Sequence, residues 1–393
     1  MADANRVQVS YLAESSFGVP PSSAFRAFPI TGGSFATGIN TVRSSQIRDD
    51  AQQADMKRVG ISPTASFDFE FSAQNYDEFL KSSIRSSAWG SELAVSATDI
   101  SATATTIVAG SGTPFGSVAK GSWVYVAGFT GVAGNNGWKR VSDVTGFGST
   151  LVISNNGGMG TDASGETVTI KGVSISNGTA SDSYALQQQY QDLTNKYHVM
   201  FGARVNTFSL SQTPSGIITG NVAFDAKDRF QASAKQGNGS VTSAYDQDVV
   251  SEVDGFESLI INNTTVSYDV MDLSINISTP NRPAKGLGSL KATRMPQGAV
   301  DVTGSFSVYL DASTYDDLDL DLQNFTKQPI AFTLNMQNND RYCVEMPSCA
   351  LTAEPATNGG VDTDIMLSFD FSAEPATSIA DAEKTIVISR VIA

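Results

Sequence analysis

Chemistry-bearing side chains are scarce in this chain of 393 residues. Histidine occurs once, as His198, and cysteine twice, as Cys343 and Cys349. A tetrahedral zinc site and a disulfide framework both need more, so neither is expected. In a protein made in the cytoplasm the two thiols read as free and buried. Charged residues are 17% of the chain, below the usual quarter, while hydrophobic residues reach 40%. That balance excludes a disordered chain. No eighteen-residue apolar run occurs, so no helix is expected to cross a membrane. The segment from Met1 to Pro20 lacks a basic flank followed by an apolar stretch, so no secretory signal is expected.

Positive charge is also in short supply. Lys and Arg number 25 against 40 Asp and Glu, giving a net charge of −15. Such a chain repels nucleic acid unless it gathers a basic patch. The densest basic stretches are only the pairs Lys57-Arg58 and Lys139-Arg140.

Local motifs for catalysis are weak. His198 sits in the alternating segment from Lys196 to Met200 and reads as a strand histidine. Gly160 to Thr167 has phosphate-loop glycine spacing, but Glu166 stands where the lysine belongs, so a turn is expected. The acidic run from Asp316 to Asp321 lacks the glycine and spaced ligands of a calcium loop. It suits the first turn of a helix, where the dipole favours anions. No cofactor, metal or catalytic residue is expected.

What the chain does contain is a repeat. Ser66 to Phe79 and Ser305 to Leu318 align without gaps at an offset of 239. Each begins with strand-like alternation and then changes to helical spacing. Phe67, Phe69, Phe71 and Tyr76 are candidate core residues of the first copy; Phe306, Val308, Leu310 and Tyr315 are those of the second. Asn75 with Glu78, and Thr314 with Asp317, suggest helix caps. A second pairing aligns Tyr197–Asp225 with Tyr342–Asp370 at an offset of 145.

The difference between the offsets implies about 94 extra residues in the first half. Composition places them. Between Leu93 and Gly172 lie 15 of the 34 glycines, with four basic and four acidic residues. Five short strand patterns there, separated by turns such as Asn135-Asn136-Gly137, suggest a small β domain inserted into a loop.

The expected fold is therefore β-dominated: two tandem β-sandwich or barrel units, each with a short flanking helix, plus the insertion. The first unit is discontinuous, over 1–92 and 173–230. Residues 93–172 form the insertion, 231–258 a loop or link, and 259–393 the second unit.

Four segments together resemble the major tail tube proteins of long-tailed, non-contractile bacteriophages. They are the opening Glu14-Ser15-Ser16-Phe17-Gly18-Val19-Pro20, the stretch Thr41–Asp49, the strand-to-helix block ending in Tyr76-Asp77-Glu78-Phe79, and Val205–Leu210 followed by Gly216–Gly220. The resemblance covers most of 7–90 and 173–390. It implies a structural subunit of the virion tail, assembled in the host cytoplasm, whose β-sandwich units form stacked rings around a lumen. Its implied partners are further copies of itself, the tape-measure protein, and the tail terminator and tail-tip proteins. DNA would pass through without specific binding during genome ejection, and acidic walls would suit that passage. Loops such as Val42–Val59 would reach the next ring, with Arg43, Gln46, Arg48, Asp49 and Asp50 as candidate contacts. Because family rings resemble six-fold assemblies of single units, a chain with two units suggests a trimer with pseudo-six-fold symmetry, a hexamer being the alternative. The insertion would lie on the tube exterior. A carbohydrate-binding adhesin or decoration protein, using Trp123, Tyr125, Phe129 and Trp138 of the insertion, and a contractile-tail sheath are the competing readings.

Overall fold

The computed structural model describes residues 3–251, 255–266, 269–310, 322, 324–336, 338–353, 364–377 and 383–392. The first strands are β1 (Val7–Ala13), β2 (Phe25–Phe28), β3 (Gly32–Ala36), β4 (Ile39–Arg43), β5 (Met56–Ile61) and β6 (Thr64–Glu70), followed by helix α1 (Asp77–Ser83). Next come β7 (Leu93–Ala97), β8 (Ile100–Ala102), β9 (Thr106–Ala109), β10 (Trp123–Ala127), β11 (Gly137–Thr145), β12 (Thr150–Ile153) and β13 (Val168–Ser176). Then follow β14 (Tyr184–Tyr190), β15 (Tyr197–Gln212), β16 (Thr219–Asp225), β17 (Asp228–Ala232) and β18 (Val241–Thr242). The remainder is β19 (Phe256–Ile261), β20 (Thr264–Thr265), β21 (Val270–Ser278), β22 (Asp301–Tyr309), β23 (Gln328–Asn335), β24 (Arg341–Ala353), β25 (Met366–Ala373) and β26 (Val387–Val391). The fold is all-β, as its alternating sequence requires.

Eight strands build one long antiparallel sheet in the order β3-β6-β16-β15-β21-β22-β25-β24. Two shorter sheets pack behind it, ordered β2-β1-β14-β15-β17 and β20-β19-β23-β24-β26. The long strands β15 and β24 each serve two sheets, their first halves in a short sheet and their second halves in the long one. Strand for strand, the order of the first half recurs in the second. Among the described residues, the strands without a counterpart are β4, β5, β7–β13 and β18.

One apolar core runs between these layers and includes residues of both halves. Its densest part is aromatic. Phe69 stacks on Tyr76 at 4.0 Å between ring centres, and Phe28 meets Phe67 edge-on at 5.6 Å. Each fully buried ring contributes about 1.5–3 kcal/mol, so this cluster is a main anchor of the fold. Phe67, Phe69, Phe71, Tyr76, Phe306 and Val308 are all buried. Leu310 is half-buried beyond the end of β22; Tyr315 and most of the expected second helix lie outside the described residues, although Leu322 and Asn324 at its end are helical and Leu322 packs on the core. Helix α1 buries Phe79 and Leu80, with Ile84 just past its end.

Several expectations change. The helix cap is not Asn75: α1 starts after Tyr76 with no side-chain cap. Asn75 instead exchanges hydrogen bonds with Tyr245, its Nδ2 donating at 3.2 Å and its Oδ1 accepting at 2.9 Å. Tyr197 and Tyr342 are not equivalent. Tyr342 lies in the main core, whereas Tyr197 packs on the other side of its sheet with Phe25, Val199 and Phe201. A β-bulge between Val205 and Thr207 has no counterpart at the matching place in β24, and one extra residue turns every earlier side chain over. The segment expected as a loop or link, 231–258, holds the last two residues of β17 and all of β18, paired to β15 and β2. Strand β19 also begins at Phe256, ahead of the expected boundary.

Between 93 and 172 a separate apolar cluster forms around Ile107, Val126, Leu151 and Ile170. Its entry and exit strands pair, with Leu93 opposite Gly172. Two further strands, β7 and β8, join the five legible in the sequence. The end of β13 pairs with β26, so this segment is stitched to the second half of the chain.

Candidate functional site

The long sheet presents two chemically opposed faces. The inward face carries Phe67, Phe69, Val222, Phe208, Ile275, Phe306, Phe369 and Leu351, all buried. The outward face reads in rows across the strands. One runs Glu70, Thr219, Ser211, Ser274, Ser305, Asp370, Thr352. The next runs Gly32, Asp68, Asn221, Ser209, Asn276, Thr303, Ser372, Ala350. A third runs Ser34, Ser66, Ala223, Thr207, Ser278, Asp301. Hydroxyls, amides and carboxylates dominate these rows, with Gly32, Ala223 and Ala350 between them, and no Lys, Arg or His occurs in them.

The rows are tied together laterally. Asn221 Nδ2 donates to Asp68 Oδ1 at 2.6 Å and to Ser66 Oγ at 3.0 Å, and the Ser274 and Ser305 hydroxyls meet at 2.8 Å. Ser307 Oγ donates to Asp272. Such bonds fix short polar side chains flat on the sheet. At one end, Asp225 accepts from Asn281 Nδ2 at 3.1 Å, and burial pushes its carboxyl above the usual carboxylate range. These three rows form an acidic strip without a cation, and Arg204, opposite Asp225, is the cation of the next row.

A family model described as phage tail tube protein matches residues 4–373. The chain belongs to the phage tail tube protein family. It is a structural subunit of the virion tail that assembles with its own kind into the rings of the tube. No curated protein matches the chain.

The tail tube subunit's opening motif has a clear structural role. The Glu14 carboxylate accepts from Gly18 N at 2.7 Å, Ser183 Oγ at 2.7 Å and Gly202 N at 2.8 Å. Phe17 then lies under the Arg204 guanidinium, 4.7 Å from its ring centre, and near Lys227 at 5.4 Å. Gly18 adopts φ +68°, and a side chain there would strike Lys227. The sequence showed the motif; that Glu14 ties 202 to 18 depends on strands far apart in the chain.

Arg43, Gln46, Arg48, Asp49 and Asp50 fall on an exposed arm built on the β4–β5 hairpin. Arg48 grips Asp50 through two bonds of 2.9 and 2.6 Å, and Arg43 donates to Gln53 at 2.6 Å. Ile47 at the tip is fully exposed, and Ile39, Val42 and Met56 are largely so. The sequence reading missed these apolar residues. A second excursion, between β21 and β22, lies alongside: Lys285 Nζ donates to Val59 O at 2.6 Å, and Ile61 N to Leu290 O at 2.9 Å. Leu287 on it is also fully exposed.

Of the aromatic residues singled out in the insertion, Trp123, Phe129 and Trp138 are buried, and Tyr125 lies against the Arg341 guanidinium at 4.2 Å. They serve packing and are not displayed for a sugar. Both cysteines are free and buried; burial pushes the Cys349 thiol up to about 12 and raises Cys343 as well. His198 stacks on Phe35 beside Arg229, and burial followed by that cation lowers its pKa.

Proposed function

We propose that the outward face of the long sheet, whose three central rows hold no cation, lines the lumen of a long, non-contractile tail tube, where it holds the tape-measure protein and later conducts DNA into the host. The observation carrying this reading is the combination of one apolar face and one mainly polar face, with acidic rows free of cations, on a single continuous sheet. A sliding polyanion needs a wall without counter-charges, because each phosphate contact with Lys or Arg releases counterions and binds.

The sheet has four strands from each half of the chain, in matching order. Three chains would therefore supply six equivalent units, and a trimeric ring with pseudo-six-fold symmetry follows. In this reading 1–92 with 173–230 is one unit, 259–393 the other, and 93–172 a domain on the outer wall. The β4–β5 arm, with Arg43, Gln46, Arg48, Asp49 and Asp50, contacts the adjacent ring, helped by its exposed apolar tip. The tail terminator and tail-tip proteins would cap the two ends.

Negative-stain microscopy of the purified protein tests the tube: hollow cylinders are expected, and compact monomers under all conditions would defeat it. End-on averages with mass per ring test the stoichiometry, six full-length chains counting against the trimer. Asp68→Lys with Asp370→Lys tests the lumen. Assembled tubes of that variant should retain DNA in a salt-sensitive manner, and unchanged DNA passage would remove the lumen assignment.

A further inference from the structure

Asparagine stands directly before glycine at four places among the described residues: Asn136-Gly137, Asn156-Gly157, Asn177-Gly178 and Asn238-Gly239. Such a pair can close a ring on itself. The glycine N attacks the asparagine Cγ, and glycine has no side chain to hinder the approach. The side-chain amide must be free to turn and the glycine N free to lose its proton. A hydrogen bond at either group opposes the reaction.

Three of the four pairs are held. Asn136 Nδ2 donates to Phe129 O at 2.8 Å, and its Oδ1 accepts from Phe129 N at 3.0 Å. Asn177 Oδ1 accepts from Thr385 N at 2.9 Å and Ile386 N at 3.3 Å, while Gly178 N donates to Ile84 O at 3.0 Å. Asn238 Oδ1 accepts from Ser240 N at 2.9 Å, while Gly239 N donates to Gln236 O at 3.4 Å. Asn156 differs. Among the described residues neither its side chain nor Gly157 N has a hydrogen-bond partner. Gly157 is exposed, and nothing lies within 4 Å of where its Cβ would stand.

We propose that Asn156-Gly157, between β12 and β13, is a site of spontaneous modification to aspartate and isoaspartate that loosens the hold of the 93–172 segment on β24. Gly157 N bonds to Asn156 Cγ, the Cγ–Nδ2 bond breaks, and ammonia leaves with the glycine amide proton. Water then opens the succinimide at either carbonyl. One product is aspartate; the other is isoaspartate, whose main chain runs through Cβ and Cγ and is one methylene longer. The turn has no room for that methylene. Met159 N donates to Asn156 O at 3.0 Å, and a side chain on Gly134 would already strike the Gly158 carbonyl. The two residues before Asn156 brace β11: Ser154 N donates to Arg140 O at 3.0 Å, Asn155 Oδ1 accepts from Arg140 N at 2.6 Å, and Asn155 Nδ2 donates to Trp138 O at 2.9 Å. Arg140 and Trp138 are the residues that fasten this segment to β24 and its neighbours.

The full-length protein is held in warm, mildly alkaline buffer and mapped by peptide mass spectrometry, with isoaspartate counted by a protein isoaspartyl methyltransferase. Asn156 should convert at least about tenfold faster than Asn136, Asn177 and Asn238, because those pairs must first open locally. Equal rates, or a faster site among the other three, would overturn the proposal. The same incubation in denaturant should bring the four rates together; a lead of Asn156 that persisted there would trace to local sequence and refute the structural cause. Gly157→Ala meets no neighbour, so it should fold normally and slow conversion at Asn156 severalfold. Undiminished conversion in that variant would rule out attack by the residue 157 amide. The isoaspartate fraction, separated by charge, should exchange the Arg140 and Met159 amide hydrogens severalfold faster than fresh protein. Unchanged exchange at both would overturn the loosening.

Discussion

Arg140 Nε and Glu345 Oε1 meet at 2.5 Å with both side chains almost fully buried, although one belongs to the 93–172 segment and the other to β24. Trp123 Nε1 donates to the other oxygen of Glu345 at 2.6 Å. Around them Trp123 and Trp138 pack on Ile260, Ala331, Cys343 and Val391. The 93–172 segment is thus a fixed cover on β24 and its neighbours. Breaking a buried pair strands a charge, which costs about 3–5 kcal/mol. Glu345→Ala should lower unfolding stability by that order in a denaturant titration, and Glu345→Leu with Arg140→Met should recover most of the loss. A change below about 0.5 kcal/mol for Glu345→Ala would contradict the assignment.

Removing the cover should expose what lies beneath. Leu93 and Gly172 face each other across a ladder, so a short linker can replace the segment between them. The shortened protein should lose solubility, and its Cys343 should react with a thiol reagent that leaves the intact protein unmodified. An unreactive, soluble deletion variant would show that the two parts are independent.

Gly304 lies opposite Phe371, whose ring occupies the space a side chain would need, and a Cβ would come within 2.3 Å of that ring and 2.2 Å of the Ser274 carbonyl. Gly220 faces Phe69 in the same manner. Overpacking of this kind costs about 1–3 kcal/mol. Gly304→Ala should therefore lower the melting temperature, whereas Gly286→Ala, which meets nothing within 4 Å, should leave it nearly unchanged.

The lowered pKa of His198 makes a pH prediction. Burial and Arg229 favour its neutral form in the fold, so the unfolded chain binds the proton more readily. The stability this group contributes is complete above about 6.5 and is lost as pH falls from there through the lowered folded value. His198→Gln should flatten that part of the stability profile. Identical slopes for the two proteins between pH 6.5 and 5 would count against it.

Much of the framework was legible along the chain because strands write their buried face with period two. Phe67, Phe69 and Phe71 alternate with polar residues, as do Phe306 and Val308, and the 239-residue offset between β6 and β22 is the one the ladders show: Phe67 opposite Val222, Phe306 opposite Phe369. The equivalence of Tyr197 with Tyr342 was not legible. It depends on a bulge near Asn206 whose presence no local pattern announces. Asn75 was misread for a related reason, since a residue with capping chemistry found a better partner in the distant Tyr245 loop.

By itself the sequence determined that this protein is built of sheets, that about 80 neutral, glycine-rich residues lie between Leu93 and Gly172, and that its charge is negative. These are properties of spacing and composition, which are local or additive. Which carboxylates share one face, that three of its rows hold no cation, and that Arg140 meets Glu345 were decided only by tertiary structure. Each depends on strand register between segments up to hundreds of residues apart, and register is set by the joint burial of all the strands at once.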